Sequence, residues 1–151
     1  MLGIAGRGGE VSATDLLIGR GELVFDTQFK QGAAMRGFDS LSVLRTPQGI
    51  NVFVNEVKAS SGNIVPSKFS ALGLNRQSTF DTNLGRAIEA VQGQVTDPDL
   101  AVSIEDALLD RTFSIRIIGR PGIRITSRTE ALIEKATGTN QRVIVLDVLA
   151  P

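Results

Sequence analysis

The sequence contains no cysteine, no histidine and no tyrosine among its 151 residues. Without cysteine, disulfides, thiolate metal sites and a cysteine nucleophile are excluded. Without histidine, Ser-His-Asp triads, histidine general bases and the usual catalytic zinc site are excluded as well. A tyrosine nucleophile is equally unavailable. Any catalysis must therefore use Asp, Glu, Lys, Arg, Ser, Thr, Asn or Gln, and this set of side chains suits hard-metal chemistry through carboxylates best.

An excess of charge of either sign is also lacking, since 16 lysines and arginines balance 16 aspartates and glutamates. No global field therefore attracts nucleic acid. No apolar run approaches the roughly 18 residues of a membrane span, and we expect no signal peptide, because the N-terminus lacks a basic segment followed by a long apolar one. The length, with 42% hydrophobic and 21% charged residues, predicts one globular domain over 1–151.

The order of periodic segments predicts a mixed α/β fold with a mostly antiparallel or mixed sheet flanked by helices. Strands are expected at 22–29, 38–45 and 49–58 as an antiparallel meander, with a turn at TPQG, and further strands at 112–119, 122–127 and 141–150. Helices are expected at 10–19, 77–93 and 127–138, with a helix or loop-helix at 97–110. A long loop is expected over 59–76, with room for a short helical turn within it. Candidate helix caps are Ser78 or Thr79, and Ser127.

An acid and a base stand at the end of the apolar strand GINVFVNEVK, at Glu56 and Lys58. Alternate side chains of a strand share a face, so these two point the same way. Asp39 begins the preceding strand, one hairpin away, and the pairing places it beside the Glu56 end. Two carboxylates supply hard oxygen ligands for Mg²⁺, and a lysine can activate water or stabilise phosphate charge. The alternative is a surface ion pair at a fraying strand end.

The motifs GGE at 8–10, GFD at 37–39, EVKA at 56–59 and RQS at 76–78 together resemble the PD-(D/E)xK nuclease superfamily. The resemblance covers residues 7 to about 92, and Phe38 stands where the superfamily's name has proline. It implies a core of a helix, a three-strand antiparallel meander, a helix and a further strand. It also implies a further acid at Glu10 in the first helix and a metal-facing Gln77. By themselves, Glu10 equally suits an early-helix acid and Gln77 an ordinary helix residue.

The order of these motifs is also similar to nuclease toxin domains of bacterial interbacterial effectors. That resemblance implies a DNA endonuclease that acts as an antibacterial toxin and forms the C-terminal part of a larger effector. It also implies delivery to the target-cell cytoplasm and neutralisation by a cognate immunity protein. Asp39, Glu56 and the carbonyl of Val57 would hold Mg²⁺ or Mn²⁺, and Lys58 would activate water. Glu10 would orient the site and Gln77 would hold water or phosphate.

Basic residues outside this constellation are candidates for nucleic-acid binding. Lys68 and Arg76 either bind phosphate or only solvate a loop. An acidic stretch at 97–110 is followed by four evenly spaced arginines, which form either a basic strip for a nucleic-acid backbone or ion pairs with that acidic stretch: Arg116, Arg120, Arg124 and Arg128.

Two other functions remain open on the sequence alone. One is a nuclease of the same chemistry in repair or restriction, without toxicity or an immunity partner. The other is a non-enzymatic α/β protein-binding module, in which Glu56 and Lys58 form an ion pair. Toxicity on expression separates the two nucleases, and divalent-metal binding separates both from the binding module.

Overall fold

The computed structural model of the protein describes residues 13–27, 37–74, 76–139, 141 and 143–149. The described part of the first helix, α1, runs over 13–19. The elements that follow, in chain order, are β1 (Leu23–Phe25), β2 (Ser40–Thr46), β3 (Gly49–Lys58), a 3₁₀ helix (Pro66–Leu72), α2 (Gln77–Gln94), α3 (Pro98–Leu109), β4 (Ser114–Gly119), α4 (Ser127–Thr137) and β5 (Ile144–Leu146).

The strands form one five-stranded mixed sheet in the order β1-β2-β3-β4-β5. β1, β2 and β3 pair antiparallel, which confirms the predicted meander. β4 pairs parallel to β3, and β5 parallel to β4. Parallel neighbours need a long crossover connection, and the 3₁₀ helix, α2 and α3 form the one between β3 and β4. The predicted α/β class, with a mixed sheet flanked by helices, is confirmed.

One face of the sheet carries the main hydrophobic core, under α2, α3, α4 and the 3₁₀ helix. Leu41 and Val43 of β2 lie two residues apart and share this face, as do Val52 and Val54 of β3, and all four are buried there. The core also contains a row of tilted phenylalanine rings whose centroids lie 5.3 and 6.0 Å apart in the order Phe38, Phe80, Phe113.

The opposite face of the sheet is covered by α1. Ala13 and Leu17 of this helix pack in a smaller buried cluster with Ile118 of β4 and Leu149 near the C-terminus. Val57 of β3 packs against the same cluster. The sheet is therefore covered on both sides, as expected where parallel strands are present.

The helices follow the predicted apolar spacing, but two caps differ from the prediction. α2 begins at Gln77 after an extended Arg76 that makes no side-chain cap, so the proposed caps Ser78 and Thr79 lie inside the helix. α4 is capped by Thr126, whose hydroxyl accepts a hydrogen bond from the Thr129 N–H, and not by Ser127. Both helices nevertheless begin at the predicted residues, Gln77 and Ser127, so only the capping residues differ from the prediction, in keeping with the weak definition of helix ends by a periodic pattern.

The prediction of a strand at 122–127 is wrong. Only a single bridge forms there, between Arg124 and Asn63. Gly122 has φ +89° in the preceding turn, and Thr126 already caps α4, so few residues remain between turn and helix to form a ladder. The terminal strand is also shorter than predicted and spans Ile144–Leu146.

Candidate active site

Asp39 and Glu56 meet where β2 begins and β3 ends. Ser40, the first residue of β2, lies opposite Asn55 of β3. The same register places Asp39, which precedes Ser40, beside Glu56, which follows Asn55. The Asp39 N–H donates to Glu56 Oε2 at 3.2 Å, and the Val57 N–H donates to Asp39 Oδ2 at 2.6 Å. The structure therefore brings together the two carboxylates that the sequence singled out.

Glu56 lies on the core face of β3, two residues beyond the buried Val54, and is 3% exposed. Lys58 follows on the same face, and its Nζ lies 5.4 Å from the centroid of the Phe69 ring. Phe69 belongs to the 3₁₀ helix and is fully buried. A cation held over an aromatic face is stabilised electrostatically, so the 3₁₀ helix helps to position the lysine beside the carboxylates.

The surroundings of Glu56 raise its pKa well above the ordinary value. Burial is the largest cause, because a carboxylate removed from water loses its solvation. The nearby Asp39 carboxyl raises the pKa further, by charge repulsion and by a side-chain hydrogen bond, while Lys58 lowers it. Two carboxyl groups in contact cannot both ionise easily, and a proton or a cation between them relieves the repulsion.

The donor chemistry of this pair fits a hard divalent cation. Asp39 and Glu56 supply carboxylate oxygens of the kind that Mg²⁺ and Mn²⁺ prefer. The Val57 N–H points towards Asp39, and because the N–H and C=O of a strand residue point to the same side, its carbonyl faces that side too. Within the described residues, no group of three or more His, Cys, Asp or Glu side chains could hold a metal. Waters and substrate oxygens would complete the coordination.

The first turn of α2 lies close to the segment that carries Asp39. Phe80 in that turn packs against Phe38, the residue before Asp39. Gln77 is the first residue of α2, but its side chain lies outside what the structure describes. Glu10 also lies outside the described residues.

The predicted basic residues are spread around this end of the sheet. Lys68 in the 3₁₀ helix and Arg76 before α2 are exposed. Beyond β3 and β4, backbone hydrogen bonds continue the pairing between 60–64 and 120–124. Arg120 is half-buried and Arg124 is exposed on this extension. Since parallel strands end at the same edge, both arginines lie at the edge where Glu56 and Lys58 end β3.

Arg116 does not belong to an exposed basic strip, which corrects the sequence-based assignment. It is 3% exposed, in the middle of β4, on the face opposite the main core. Its guanidinium binds both carboxylate oxygens of Glu22 and lies 3.9 Å from the centroid of the Phe53 ring. A guanidinium enclosed in this way is not free to contact phosphate.

The even spacing of the arginines also fails to place them on one strand face. β4 carries Arg116, a turn carries Arg120, a single bridge holds Arg124, and α4 carries Arg128. The alternative, ion pairing with the acidic stretch at 97–110, finds no support in the described ranges. There, Asp97 of the acidic stretch pairs with Arg45 at 4.0 Å, and Arg111, which follows the stretch, pairs with Asp81 at 2.9 Å.

Sequence reasoning missed the polar cluster around Arg116. Its members are buried and lie on the face opposite the carboxylate pair: Glu22, Ser40, Ser42 and Asn55. Ser40 and Ser42 alternate with Leu41 and Val43 in β2, and Asn55 of β3 lies opposite Ser40, so these three residues share a face. That pattern does not reveal burial, because a polar face usually meets solvent.

No family model matches the chain, and neither a curated protein nor a solved structure matches it. Among the described helices, none is long and apolar enough to cross a membrane.

Proposed function

We propose that this chain is a metal-dependent phosphodiesterase of the PD-(D/E)xK type, which cuts DNA and acts as an antibacterial toxin. The observation that carries the proposal is the contact between Asp39 and the buried Glu56, with Lys58 on the same face of β3. A surface ion pair on a fraying strand end would leave Glu56 exposed and next to a base. Instead it is enclosed beside another acid.

The topology supports the same proposal. The described elements follow the order helix, antiparallel meander, helices and a strand parallel to the third, which is the order that the resemblance implies. The carboxylates lie where the sheet changes from antiparallel to parallel pairing. Ligands of open α/β sheets commonly bind outside the carboxyl ends of strands, and Glu56 and Lys58 lie at that end of β3.

Each residue of the site has a chemical role in this proposal. Asp39 and Glu56 hold the metal, with the carbonyl of Val57 on the same side of β3. A bound Mg²⁺ or Mn²⁺ would polarise a phosphate oxygen and lower the pKa of a coordinated water. The Lys58 ammonium cannot ligate a metal, since it has only donors. It orients the attacking water and stabilises the charge that develops on the phosphate.

Substrate binding would rely on local charge. The chain has no net charge, so attraction to DNA must come from basic side chains near the site. Arg120 and Arg124 lie at the same edge of the sheet as the carboxylate pair, and Lys68 is exposed on the 3₁₀ helix. In this proposal these residues contact the phosphates of the bound DNA.

The deciding experiment incubates the purified protein with supercoiled plasmid, linear DNA and RNA, with Mg²⁺, with Mn²⁺ and with chelator. We expect cleavage of DNA that needs the metal and disappears in Asp39→Ala. Asp106→Ala is the matched control, since Asp106 is an exposed acid on α3, and it should cut like the parent protein. No cleavage under any metal condition, together with no divalent-metal binding by calorimetry, would favour the binding module instead.

Toxicity is tested separately. Expression of the parent protein in a bacterial host should arrest growth, while Asp39→Ala should not. Metal-dependent cleavage without growth arrest would assign the same chemistry to repair or restriction and remove the need for an immunity protein.

A further inference from the structure

A buried polar network lies directly behind the carboxylate pair, on the opposite face of the sheet. Arg116 of β4 is its centre. Its Nε donates to Asn55 Oδ1 at 2.9 Å, its Nη1 to Glu22 Oε2 at 3.0 Å, and its Nη2 to Ser42 Oγ at 3.0 Å. One guanidinium therefore joins β4 to β3, to β2 and to the residue that precedes β1.

Asn55 completes the network between the two strands that carry the site. Its Nδ2 donates to Ser42 Oγ at 2.9 Å and to Ser40 Oγ at 3.2 Å. Ser40 follows Asp39 in the chain and Asn55 precedes Glu56, so each carboxylate has a network residue as its neighbour. The backbone repeats the link, since the Asp39 N–H donates to the Asn55 carbonyl at 3.2 Å.

Such a network has its main effect on register. A buried ion pair contributes little net stability, because desolvation offsets the attraction, and its better-attested role is to specify one arrangement over others. A one-residue slip between strands moves every side chain to the other face. Such a slip of β2 against β3 would bury Asp39 among the network residues and separate it from Glu56. Ser42 and Asn55 would lose their partners, at a cost for each buried polar group left unpaired.

We propose that Arg116 is a positioning residue for the carboxylate pair: by holding Asn55 and Ser42 from behind, it fixes the β2–β3 register at which Asp39 and Glu56 meet. Its effect on metal affinity rests on the proposed function, whereas its effect on the register does not. Residues that orient metal ligands from outside typically change metal affinity by about 10- to 100-fold when they are replaced.

The test uses the double variant Glu22→Gln/Arg116→Met, which removes both charges and leaves no buried charge unpaired. The matched control is Arg45→Met/Asp97→Asn, which removes an ion pair at the opposite end of β2 from Asp39. Mn²⁺ affinity is measured by calorimetry, and backbone amide hydrogen exchange is measured without metal. Both variants are compared with the parent protein under conditions in which each is folded by circular dichroism.

We expect the Glu22/Arg116 variant to bind Mn²⁺ about 10- to 100-fold more weakly and to lose protection at the Asp39 and Val57 amides, while the β4–β5 ladder keeps its protection. The control should match the parent protein in both measurements. If Arg116 has a merely structural role, amide protection is lost across the whole sheet or is not lost anywhere. In both cases the Mn²⁺ affinity of the folded variant is unchanged. Either result overturns the proposal.

The proposal is still tested if the double variant does not fold or if the parent protein binds no Mn²⁺. If the double variant does not fold, Ser42→Ala decides, because it removes one hydroxyl of the network and should shift the same two amides and the Mn²⁺ affinity in the same direction. Parent-like values in folded Ser42→Ala overturn the proposal. A parent protein that binds no Mn²⁺ contradicts the proposed function alone, and the amide pattern then still decides whether Arg116 sets the register.

Discussion

Glu22 and Glu56 are two buried glutamates with nearly equal exposure, 5% and 3%, on opposite faces of one sheet. Glu22 binds the guanidinium of Arg116 through both carboxylate oxygens and also accepts a hydrogen bond from the Ser42 hydroxyl at 2.7 Å. Glu56 lies against the carboxyl group of Asp39. Burial is the same for both, and the partner differs. The charge of a buried acid that is paired with a base is already balanced within the protein. A buried acid beside another acid is instead suited to binding a cation.

The two glutamates should respond in opposite ways to the same substitution. In Glu56→Gln, metal-dependent cleavage should become undetectable, because an amide is a weak ligand for Mg²⁺. Its stability should be unchanged or higher, since the amide carries no charge to desolvate. Cleavage by folded Glu56→Gln at the parent rate would show that Glu56 is not a metal ligand.

Glu22→Gln should instead destabilise the protein by about 3–5 kcal/mol, because it leaves the Arg116 charge buried without its partner. Urea unfolding followed by circular dichroism measures this loss. A stability within about 0.5 kcal/mol of the parent protein, the range of neutral surface substitutions, would mean that the Glu22–Arg116 pair is not the buried ion pair described here.

Lys58→Met tests the base that shares a face of β3 with Glu56. The substitution removes the charge and keeps most of the apolar stem, so packing over Phe69 changes little. Metal binding should persist, since both carboxylates remain, while cleavage should fall by about 10²-fold or more, the usual size of a general acid–base contribution. A surface ion pair would instead give at most about 1 kcal/mol of stability change and normal cleavage. Turnover and Mn²⁺ affinity, measured on the same preparation, separate these results.

The arginines extend the comparison from the buried Arg116 to the accessible Arg120 and Arg124. Replacing Arg120 and Arg124 with methionine should weaken DNA binding and reduce the slope of log affinity against log salt by about 2, close to one unit for each lost phosphate contact. Arg45→Met is the control, because Arg45 is exposed at the opposite end of β2 from the carboxylate pair. An equal change of slope in the control would point to general electrostatics and not to a specific path for DNA.

The smallest expected effect is a pH dependence of stability in the absence of metal. The pKa of Glu56 is raised in the folded protein, so its contribution to stability is fully present below the unfolded pKa and is lost as pH rises through the folded one. The parent protein should therefore lose thermal stability relative to Glu56→Gln over the pH range above about 4.3, the ordinary pKa of glutamate. Melting temperatures with chelator present measure the difference. A constant difference across this range would contradict the raised pKa.

Much of the local structure follows from the sequence. The apolar, β-favouring composition of the two segments and the turn between them predicted β2 and β3 and their antiparallel pairing, which brings the start of β2, and so Asp39, near the Glu56 end of β3. Helical spacing predicted α2, α3 and α4 by their buried residues, such as Phe80 and Ile104. These features depend on neighbours that are close in the chain, so a local pattern is sufficient to specify them.

The tertiary structure decided what surrounds those residues. Alternation in β4 shows that Arg116 and Ile117 point to opposite faces, but only the packing of α1 and the position of Glu22, 94 residues away in the chain, make the Arg116 face a buried one. Likewise, the place of Phe69 beneath Lys58 depends on how the 3₁₀ helix packs on α2. A strand pattern records which side chains share a face. Whether that face meets solvent, a helix or an opposite charge is set by long-range contacts, and these contacts determine the ionisation and accessibility on which the proposed chemistry depends.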